Sequence, residues 1–322
     1  MHAVTAHGRW IWGLSGLATA AVLAVPGARL LTHPGADGQH ITPANTATRT
    51  ISLVQPITSL DVQSQDGSVR VQAGTGHGVQ IIELISYDKS VSPQPRVEDS
   101  VSGGRLTLAD PVCSTSDCAV SFVVTVPATV PVTVSSNGAP VAISGVAGAN
   151  VESGGAPVTL ARLTGTLTVD TDGGSLDLNG LTGPLHADTG GGPMTATGIN
   201  GPATISTEGG SLAVNGLTGS LQADSAGGPA ALTDIRAQTA TVTTGGGSGR
   251  LVFHIVPELV NLSTDGGPAL LDVPGGPYAL NADSDGGPEL VRGVTADPSA
   301  ARSITVTSGG GPLTVGPAGD GQ

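Results

Sequence analysis

Two consecutive stretches of the chain, LTVDTDGGSLDLNGLTGP (Leu167–Pro184) and LHADTGGGPMTATGINGP (Leu185–Pro202), share one 18-residue pattern. The pattern recurs along much of the chain, and the steps between its turn glycines are 17, 18, 18, 18, 18, 19, 20, 20 and 24 residues. A nearly fixed period of this size is typical of a solenoid, because each short unit buries its apolar side only by stacking on its neighbours. The turn glycines are Gly138, Gly155, Gly173, Gly191, Gly209, Gly227, Gly246, Gly266, Gly286 and Gly310.

Each unit contains two short segments in which apolar and polar residues alternate. Leu167 and Val169 precede the glycine pair of one unit, and Leu178 follows it. Alternation with period two indicates a strand with one buried face, and a glycine pair lets the chain turn sharply between two such strands. A further apolar residue, Leu181 in this unit, adds a third inward contact. The sequence therefore predicts an all-β fold, a single-stranded β-solenoid or β-helix-like stack of roughly 18-residue rungs.

A serine or threonine stands two residues before every turn glycine. By alternation it shares the inward face, so we expect a stacked row of hydroxyl groups that satisfy backbone groups at the turn. A catalytic serine would stand apart with a base nearby, whereas these hydroxyls are equivalent. They are Ser136, Ser153, Thr171, Thr189, Thr207, Ser225, Thr244, Thr264, Ser284 and Ser308.

The N-terminus has a different composition. Residues 10–31, WIWGLSGLATAAVLAVPGARLL, are apolar over about 20 residues, enough to cross a bilayer, and they predict a transmembrane helix after a cytoplasmic stub over 1–9. The alternative is a cleaved signal sequence. In either case the repeats are expected outside the membrane. Residues 32–50 lack periodicity and predict a flexible spacer.

The remaining chain divides into an N-terminal β-portion with irregular rungs over 51–131, regular solenoid repeats over 132–316 and a tail over 317–322. Cys113 and Cys118 are the two cysteines, and in an exported protein they favour a disulfide that closes a small loop. The alternative is a metal or redox pair, although zinc would need further ligands nearby.

Composition bears on the class of function. The net charge is −13 with a single lysine, Lys89, which argues against a nucleic-acid partner. The pattern suggests no catalytic residues, cofactor or metal, and we expect a protein that is not an enzyme. Two alternatives remain open: a carbohydrate-active β-helix enzyme with paired carboxylates, and calcium binding by an acidic outer face. The carboxylates that share one outward repeat position are Asp170, Asp188, Asp224 and Asp283.

The order of these elements resembles a known family. The anchor is followed by Ile51–Val71, by GGRLTL (103–108), by the cysteine pair and by VTVSSNGAPV (132–141), before the stacked rungs. This order is similar to that of the actinobacterial DUF4097 family, described as "putative adhesins" with β-strand repeats. The resemblance covers roughly residues 10–316 and implies a non-enzymatic protein, anchored in the cell membrane by a single N-terminal helix. Its solenoid would face outward to bind an unknown envelope or protein ligand.

Overall fold

A computed structural model describes residues 45–88, 96–110 and 118–319. The predicted transmembrane helix over 10–31 lies outside these residues, as do the stub and most of the spacer. Within the described ranges all regular secondary structure is β-strand, and no helix there has the length and apolar character to span a bilayer. The described chain is therefore all-β, as predicted.

Seven strands form the N-terminal portion. They are β1 (Asn45–Leu53), β2 (Ser59–Ser64), β3 (Val69–Gly74), β4 (Val79–Tyr87), β5 (Glu98–Ser102), β6 (Arg105–Ala109) and β7 (Cys118–Pro127).

Sixteen strands form the regular rungs, each rung contributing one strand on either side of its turn glycines. They are β8 (Val132–Ser136), β9 (Val141–Ser144), β10 (Ala149–Ser153), β11 (Val158–Ala161), β12 (Leu167–Thr171), β13 (Leu176–Thr182), β14 (Leu185–Thr189), β15 (Met194–Asn200), β16 (Ala203–Thr207), β17 (Leu212–Thr218), β18 (Leu221–Ser225), β19 (Ala230–Arg236), β20 (Thr239–Thr244), β21 (Gly249–Phe253), β22 (Leu259–Thr264) and β23 (Ala269–Val273).

Five further strands end the chain: β24 (Pro277–Asp283), β25 (Glu289–Val291), β26 (Thr295–Ala296), β27 (Ser303–Ser308) and β28 (Leu313–Pro317).

The strands build two sheets of 14 strands each. Sheet A contains β9 and every second strand after it up to β23, and sheet B contains β8 and the strands that alternate with these. Neighbouring rungs pair in parallel and in register, so that Leu167 lies beside Leu185 and Asp170 beside Asp188. This is the solenoid-like stack that the 18-residue period predicts.

The core lies between the two sheets and follows the predicted alternation. Val169 and Leu178 are fully buried, and the third inward position is buried in every rung where it was predicted. That position is reached through a left-handed residue in the middle of the sheet A strand, with φ of 62° at Gly180 and 65° at Gly198. This left-handed residue is one more than strict alternation needs. Two successive residues therefore face outward before the strand returns to the core. The third-position residues are Leu163, Leu181, Ile199, Leu217 and Ile235.

The order of the rungs at the C-terminal end differs from the order of the sequence. Strand β27 lies between β22 and β24, and β28 lies between β23 and β25. The last rung of the chain is therefore second from the end of the stack, under the rung that precedes it in sequence. The step of 24 residues before Gly310 leaves enough chain for this return.

The N-terminal end is closed in the same way. Strands β2 and β3 pair with β8 and β9 on one side and with β6 and β7 on the other. A rung at a free chain end would fray, because only one of its edges is paired. Inserting it below a later rung pairs both edges, which gives a physical reason for the altered order at both ends.

Antiparallel strands cover the N-terminal end. Strand β4 pairs with β7, β1 pairs with β4, and β5 pairs with β6. Strand β1 begins at Asn45, so it includes six residues of the predicted spacer. Its Ala47, Ile51 and Leu53 are partly buried against the core. Its Thr-rich sequence lacks a clear apolar period, and pairing with the long edge of β4 is what orders it.

A buried carboxylate lies in this cap. The Glu83 side chain on β4 is fully buried, and its Oε2 lies 3.4 Å from Nη1 of Arg49 on β1. The same Nη1 lies 3.1 Å from Oδ1 of Asp99 on β5, so one arginine links strands of both sheets. Burial raises the pKa of Glu83 above its ordinary value, although Arg49 opposes the shift. Glu83 Oε1 is buried without a hydrogen-bond partner among the described residues.

Glu83→Gln is expected to change the pH dependence of stability. The pKa of Glu83 is higher in the folded chain than in the unfolded one, so the folded state holds the proton more tightly. The contribution of Glu83 to stability therefore falls as pH rises from the unfolded pKa through the folded pKa, and Glu83→Gln removes this contribution. Urea unfolding of both proteins across this pH window measures the difference. The control is Glu98→Gln on the exposed side of β5, which should keep the wild-type profile.

Candidate binding site

The centre of the outward face of sheet B is polar from one end of the stack to the other, although exposed Leu259 lies at the start of β22. From β2 to β24 this face presents two columns of side chains, in register over 11 rungs. Both columns consist only of Asp, Glu, Asn, Gln, Ser, Thr and His. One column is Asp61, Thr133, Asn150, Thr168, His186, Thr204, Gln222, Thr241, Asn261, Thr305 and Asn281. The other is Gln63, Ser135, Glu152, Asp170, Asp188, Ser206, Asp224, Thr243, Ser263, Thr307 and Asp283.

The outward face of sheet A is different. It carries apolar residues among polar ones, including exposed Ala213 and Ala231 and partly buried Leu270. The two faces also differ in backbone, because the longer sheet A strands contain a left-handed residue that the sheet B strands lack. Sheet B offers hydrogen-bonding groups at a spacing of about 4.8 Å along the stack, set by the distance between strands.

A groove of about 700 Å³ lies at the N-terminal end of the sheet B face. It crosses β6, β2, β8, β10 and β12 near the strand ends, and five carboxylates line it together with amide and hydroxyl groups. Neither lysine nor arginine occurs among the described residues that line it. The groove is therefore strongly acidic. Its carboxylates are Asp61, Asp110, Glu152, Asp170 and Asp172.

Asp110 closes one side of this groove. It follows β6 directly, and its Oδ2 accepts the backbone N–H of Gln65 at 2.7 Å and lies 3.4 Å from the Ser64 hydroxyl. Burial is the main cause that raises the pKa of Asp110, and the hydrogen bonds from Gln65 and Ser64 oppose it. Asp61 lies on β2, and Asp172 directly follows β12. Register pairing places Glu152 of β10 beside Asp170 of β12.

The predicted acidic stripe is only partly continuous. Asp170 and Asp188 are direct neighbours, Ser206 separates Asp188 from Asp224, and Asp283 lies on the last rung of the stack. Among the described residues no group of three or more His, Cys, Asp or Glu is arranged to hold a metal ion. Sequence reasoning missed Asp61, Asp110, Glu152 and Asp172. Asp61 and Asp110 join the others only because β2 lies between β8 and β6. The signal that could have found Glu152 is the repeat position that it shares with Asp170.

The turn glycines lie between a sheet B strand and the following sheet A strand. A Cβ at Gly173, Gly209 or Gly246 would meet no atom within 4 Å. The next residue is the crowded one, because a Cβ at Gly210 would collide with the carbonyl oxygen of Gly192 in the rung below. The closest approach of one rung to the next is therefore one position after the turn glycine that marks the period.

The hydroxyl row next to these turns has the predicted role. All ten hydroxyl residues are buried, and all but Thr171 donate to the carbonyl oxygen three residues ahead, as Thr207 does to Gly210 at 3.0 Å. Thr171 Oγ1 is buried without a partner among the described residues. The row closes each turn, and no member of it is set apart for chemistry.

Thr207→Val and Thr171→Val should therefore have different effects on the free energy of unfolding. Thr207→Val leaves the buried Gly210 carbonyl with one hydrogen bond fewer and is expected to cost about 1–2 kcal/mol of unfolding free energy. Thr171→Val removes a buried hydroxyl that lacks a partner, so it should be neutral or stabilising. Chemical unfolding of the two variants measures both effects. Equal losses would contradict the hydrogen-bonding role.

Cys118 begins β7, is almost fully buried and is disulfide-bonded. Cys113 lies outside the described residues, so its pairing with Cys118 stays a prediction.

A second charged cluster lies on the other side of the stack. Asp234 has φ of 51°, and its Oδ1 lies 3.0 Å from Nδ1 of His254 and 3.1 Å from Nε of Arg236. It occupies the left-handed position that is glycine at 180, 198 and 216. All three side chains are substantially exposed, so the Arg236–Asp234 ion pair and the His254–Asp234 contact lie on the surface and form no enclosed site.

Comparison with known proteins yields no family. Neither a family model nor a curated protein matches the chain. A "putative cell adhesion protein" from Clostridium sporogenes is 10% identical over 85% of this chain and 99% of that one, with a TM-score of 0.23. "Putative adhesins" from Parabacteroides merdae and Parabacteroides distasonis are each 12% identical over 84% of this chain, and 95% and 97% of theirs, with TM-scores of 0.38. Likeness at this level fixes neither family nor activity.

Proposed function

We propose that this protein is a non-enzymatic scaffold at the cell surface, an adhesin-like protein whose sheet B face binds a polar component of a cell envelope. The observation that carries this proposal is the contrast between the two outer faces. Both are regular, but on sheet B the two central columns of outward side chains are polar over 11 rungs, and exposed Leu259 lies outside them at the start of β22. A soluble scaffold needs only a mixed surface, as on sheet A, so uninterrupted hydrogen-bonding columns favour a binding role.

The chemistry of the face favours a polymer with hydroxyl, amide or cationic groups. Asn, Gln, Ser and Thr side chains donate and accept hydrogen bonds, and the carboxylates of the groove attract positive charge. A binding face built on a sheet loses little entropy on binding, because the strands are already ordered. The ligand class is thus an envelope polysaccharide or an extended protein segment with exposed polar groups.

The test compares matched substitutions on the two faces of the full-length chain in detergent micelles. Thr204→Arg with Gln222→Arg places two bulky charges on the sheet B face, and Ala213→Arg with Ala231→Arg does the same on the sheet A strands of the same two rungs. We expect the sheet B variant to bind isolated cell-envelope fragments with at least about tenfold lower affinity, as when residues at the centre of an interface are changed. The sheet A variant should bind them with the affinity of the wild type. Equal binding by both variants would refute the assignment.

The proposal includes anchoring by residues 10–31, membership of the DUF4097 family and a disulfide between Cys113 and Cys118 in the outward-facing domain. A retained anchor should keep the full-length chain in the membrane fraction through carbonate washing, since burying about 20 apolar side chains exceeds any surface attachment. A mature N-terminus at or beyond Ala21 would show that the segment is cleaved instead.

One observation favours a second candidate, a carbohydrate-active enzyme. Glu152 and Asp170 are neighbours in an acidic groove, and a pair of carboxylates is the usual machinery of glycoside cleavage. Release of new reducing or unsaturated sugar ends from envelope polysaccharide, lost in Asp170→Asn and in Glu152→Gln, would establish this activity. Binding without release of such ends supports the scaffold.

A further inference from the structure

The last two rungs form a distinct unit at the end of the stack. We define the C-terminal unit as Pro277–Pro317, which contains β24 to β28, and the body as the described chain before it. Within the unit β24 pairs with β27 and with β26, and β25 pairs with β28. These pairings join the two rungs of the unit to each other.

The unit meets the body through one rung-on-rung contact. Strand β27 pairs with β22 and β28 pairs with β23, and the turn adds hydrogen bonds such as that from the Gly309 N–H to the Thr264 carbonyl. The Tyr278 hydroxyl also donates to the Pro274 carbonyl at 2.7 Å. Apart from this Tyr278 contact and the covalent link, the attachment repeats the strand pairing that joins two regular rungs.

The chain crosses from body to unit once, through Pro274, Gly275 and Gly276. Leu251 and Val260 occupy equivalent positions to Leu271 and Leu280, and nine residues separate each pair. From Leu251 to Val260 the chain climbs one rung, whereas from Leu271 to Leu280 it climbs two, because β27 lies between β22 and β24. The same length of chain thus covers an additional rise of about 4.8 Å.

The outer rung of the unit is the least protected part of the stack. Its inward residues Leu280 and Ala282 are only partly buried, and Leu290 is half exposed. Glu289 stands where the other rungs have an inward-facing residue such as Leu212 or Leu313. A charge at that position opposes the addition of a further rung from another molecule. Association through this outer surface is therefore disfavoured.

We propose that two copies of this chain exchange their C-terminal units. A short hinge between a terminal unit and its body favours such swapping, because the hinge can extend toward a neighbour instead of folding back. The unit of one copy then packs on β22 and β23 of the other and restores the strand pairing of the closed form, whereas the contact of Tyr278 with the hinge residue Pro274 changes. Exchange in both directions gives a closed dimer, and it links neighbouring scaffolds without covering the sheet B face.

The test uses a disulfide that reports which two chains are joined. Ser263 on β22 and Thr307 on β27 lie side by side with their Oγ atoms 3.0 Å apart, so the pair Ser263→Cys and Thr307→Cys can form a bond between body and unit. Equal amounts of ordinary and ¹⁵N-labelled full-length chain in detergent micelles are mixed under mild reductant, warmed to just below the unfolding transition, cooled and oxidised. Mass spectrometry of the linked peptides then counts bonds between differently labelled chains.

Complete exchange predicts that about half of the 263–307 bonds join a labelled and an unlabelled chain, as random pairing requires. The control pair Thr243→Cys and Ser263→Cys lies on β20 and β22 within the body, and its bonds should stay unmixed. Inserting Gly-Ser-Gly-Ser between Gly275 and Gly276 should lower the mixed fraction, because a longer hinge folds back more easily. Absence of mixed 263–307 bonds, or equal mixing in the control pair, would overturn the proposal.

Discussion

Val169→Asp is expected to lower the free energy of unfolding by about 4 kcal/mol or more, because it places an unpaired charge in a fully buried position. Val169 lies between Val151 and Ala187 in the parallel ladder, and the two sheets enclose it on the inward side. A carboxylate there finds neither water nor a cation. The loss is measured by chemical unfolding of the full-length chain, followed by circular dichroism.

Thr168→Asp is the matched control. Thr168 is the adjacent residue on the same strand, and its side chain points to solvent in the polar column of sheet B between Asn150 and His186. The same carboxylate should therefore cost no more than about 0.5 kcal/mol, as is usual for surface substitutions. Comparable losses for the two variants would contradict the alternation of inward and outward side chains.

Gly210→Ala is expected to cost about 3 kcal/mol, at the upper end of the range for overpacked sites. A Cβ at this position would collide with the backbone carbonyl of Gly192 in the rung below, and backbone in a continuous ladder cannot move aside locally. The two rungs would have to separate, which weakens the hydrogen bonds on both sides of the turn.

Gly209→Ala is the matched control on the neighbouring residue. A Cβ at Gly209 meets no atom within 4 Å, so this substitution should cost less than about 1 kcal/mol. Unfolding free energies of the two variants separate the effects. A larger loss for Gly209→Ala than for Gly210→Ala would show that the turn, and not the contact between rungs, limits substitution here.

The regular part of the fold follows from the sequence because one residue pattern fixes one local environment. Alternation places Val169 inside and Thr168 outside, and the common period places Asp170 beside Asp188. The hydroxyl row was also predictable, since a polar residue at an inward position needs a backbone partner. Each of these conclusions depends only on a residue and its equivalents in the next rungs.

The ends of the stack and the groove could not be predicted in this way. Strand β27 lies between β22 and β24, although β24 precedes it in the sequence. This order depends on which strand edges would otherwise be unpaired, and the residue pattern of β27 does not indicate it. The groove brings Asp110 and Asp61 to Glu152 through the same kind of insertion at the other end. Strand β1 is ordered by the edge of β4, which the sequence of β1 does not reveal.

The proposed binding face and the proposed exchange both require the rungs to stack in the order that the structure gives. Spin labels introduced by Thr168→Cys with Thr305→Cys, and by Thr168→Cys with Asn281→Cys, report this order through electron–electron dipolar distances. Six rung steps separate Thr168 from Thr305 and seven separate it from Asn281, so the backbone spacings should be about 29 and 34 Å. The longer distance must belong to the 281 label. A longer distance to the 305 label would mean that the rungs follow the order of the sequence, and it would contradict the account.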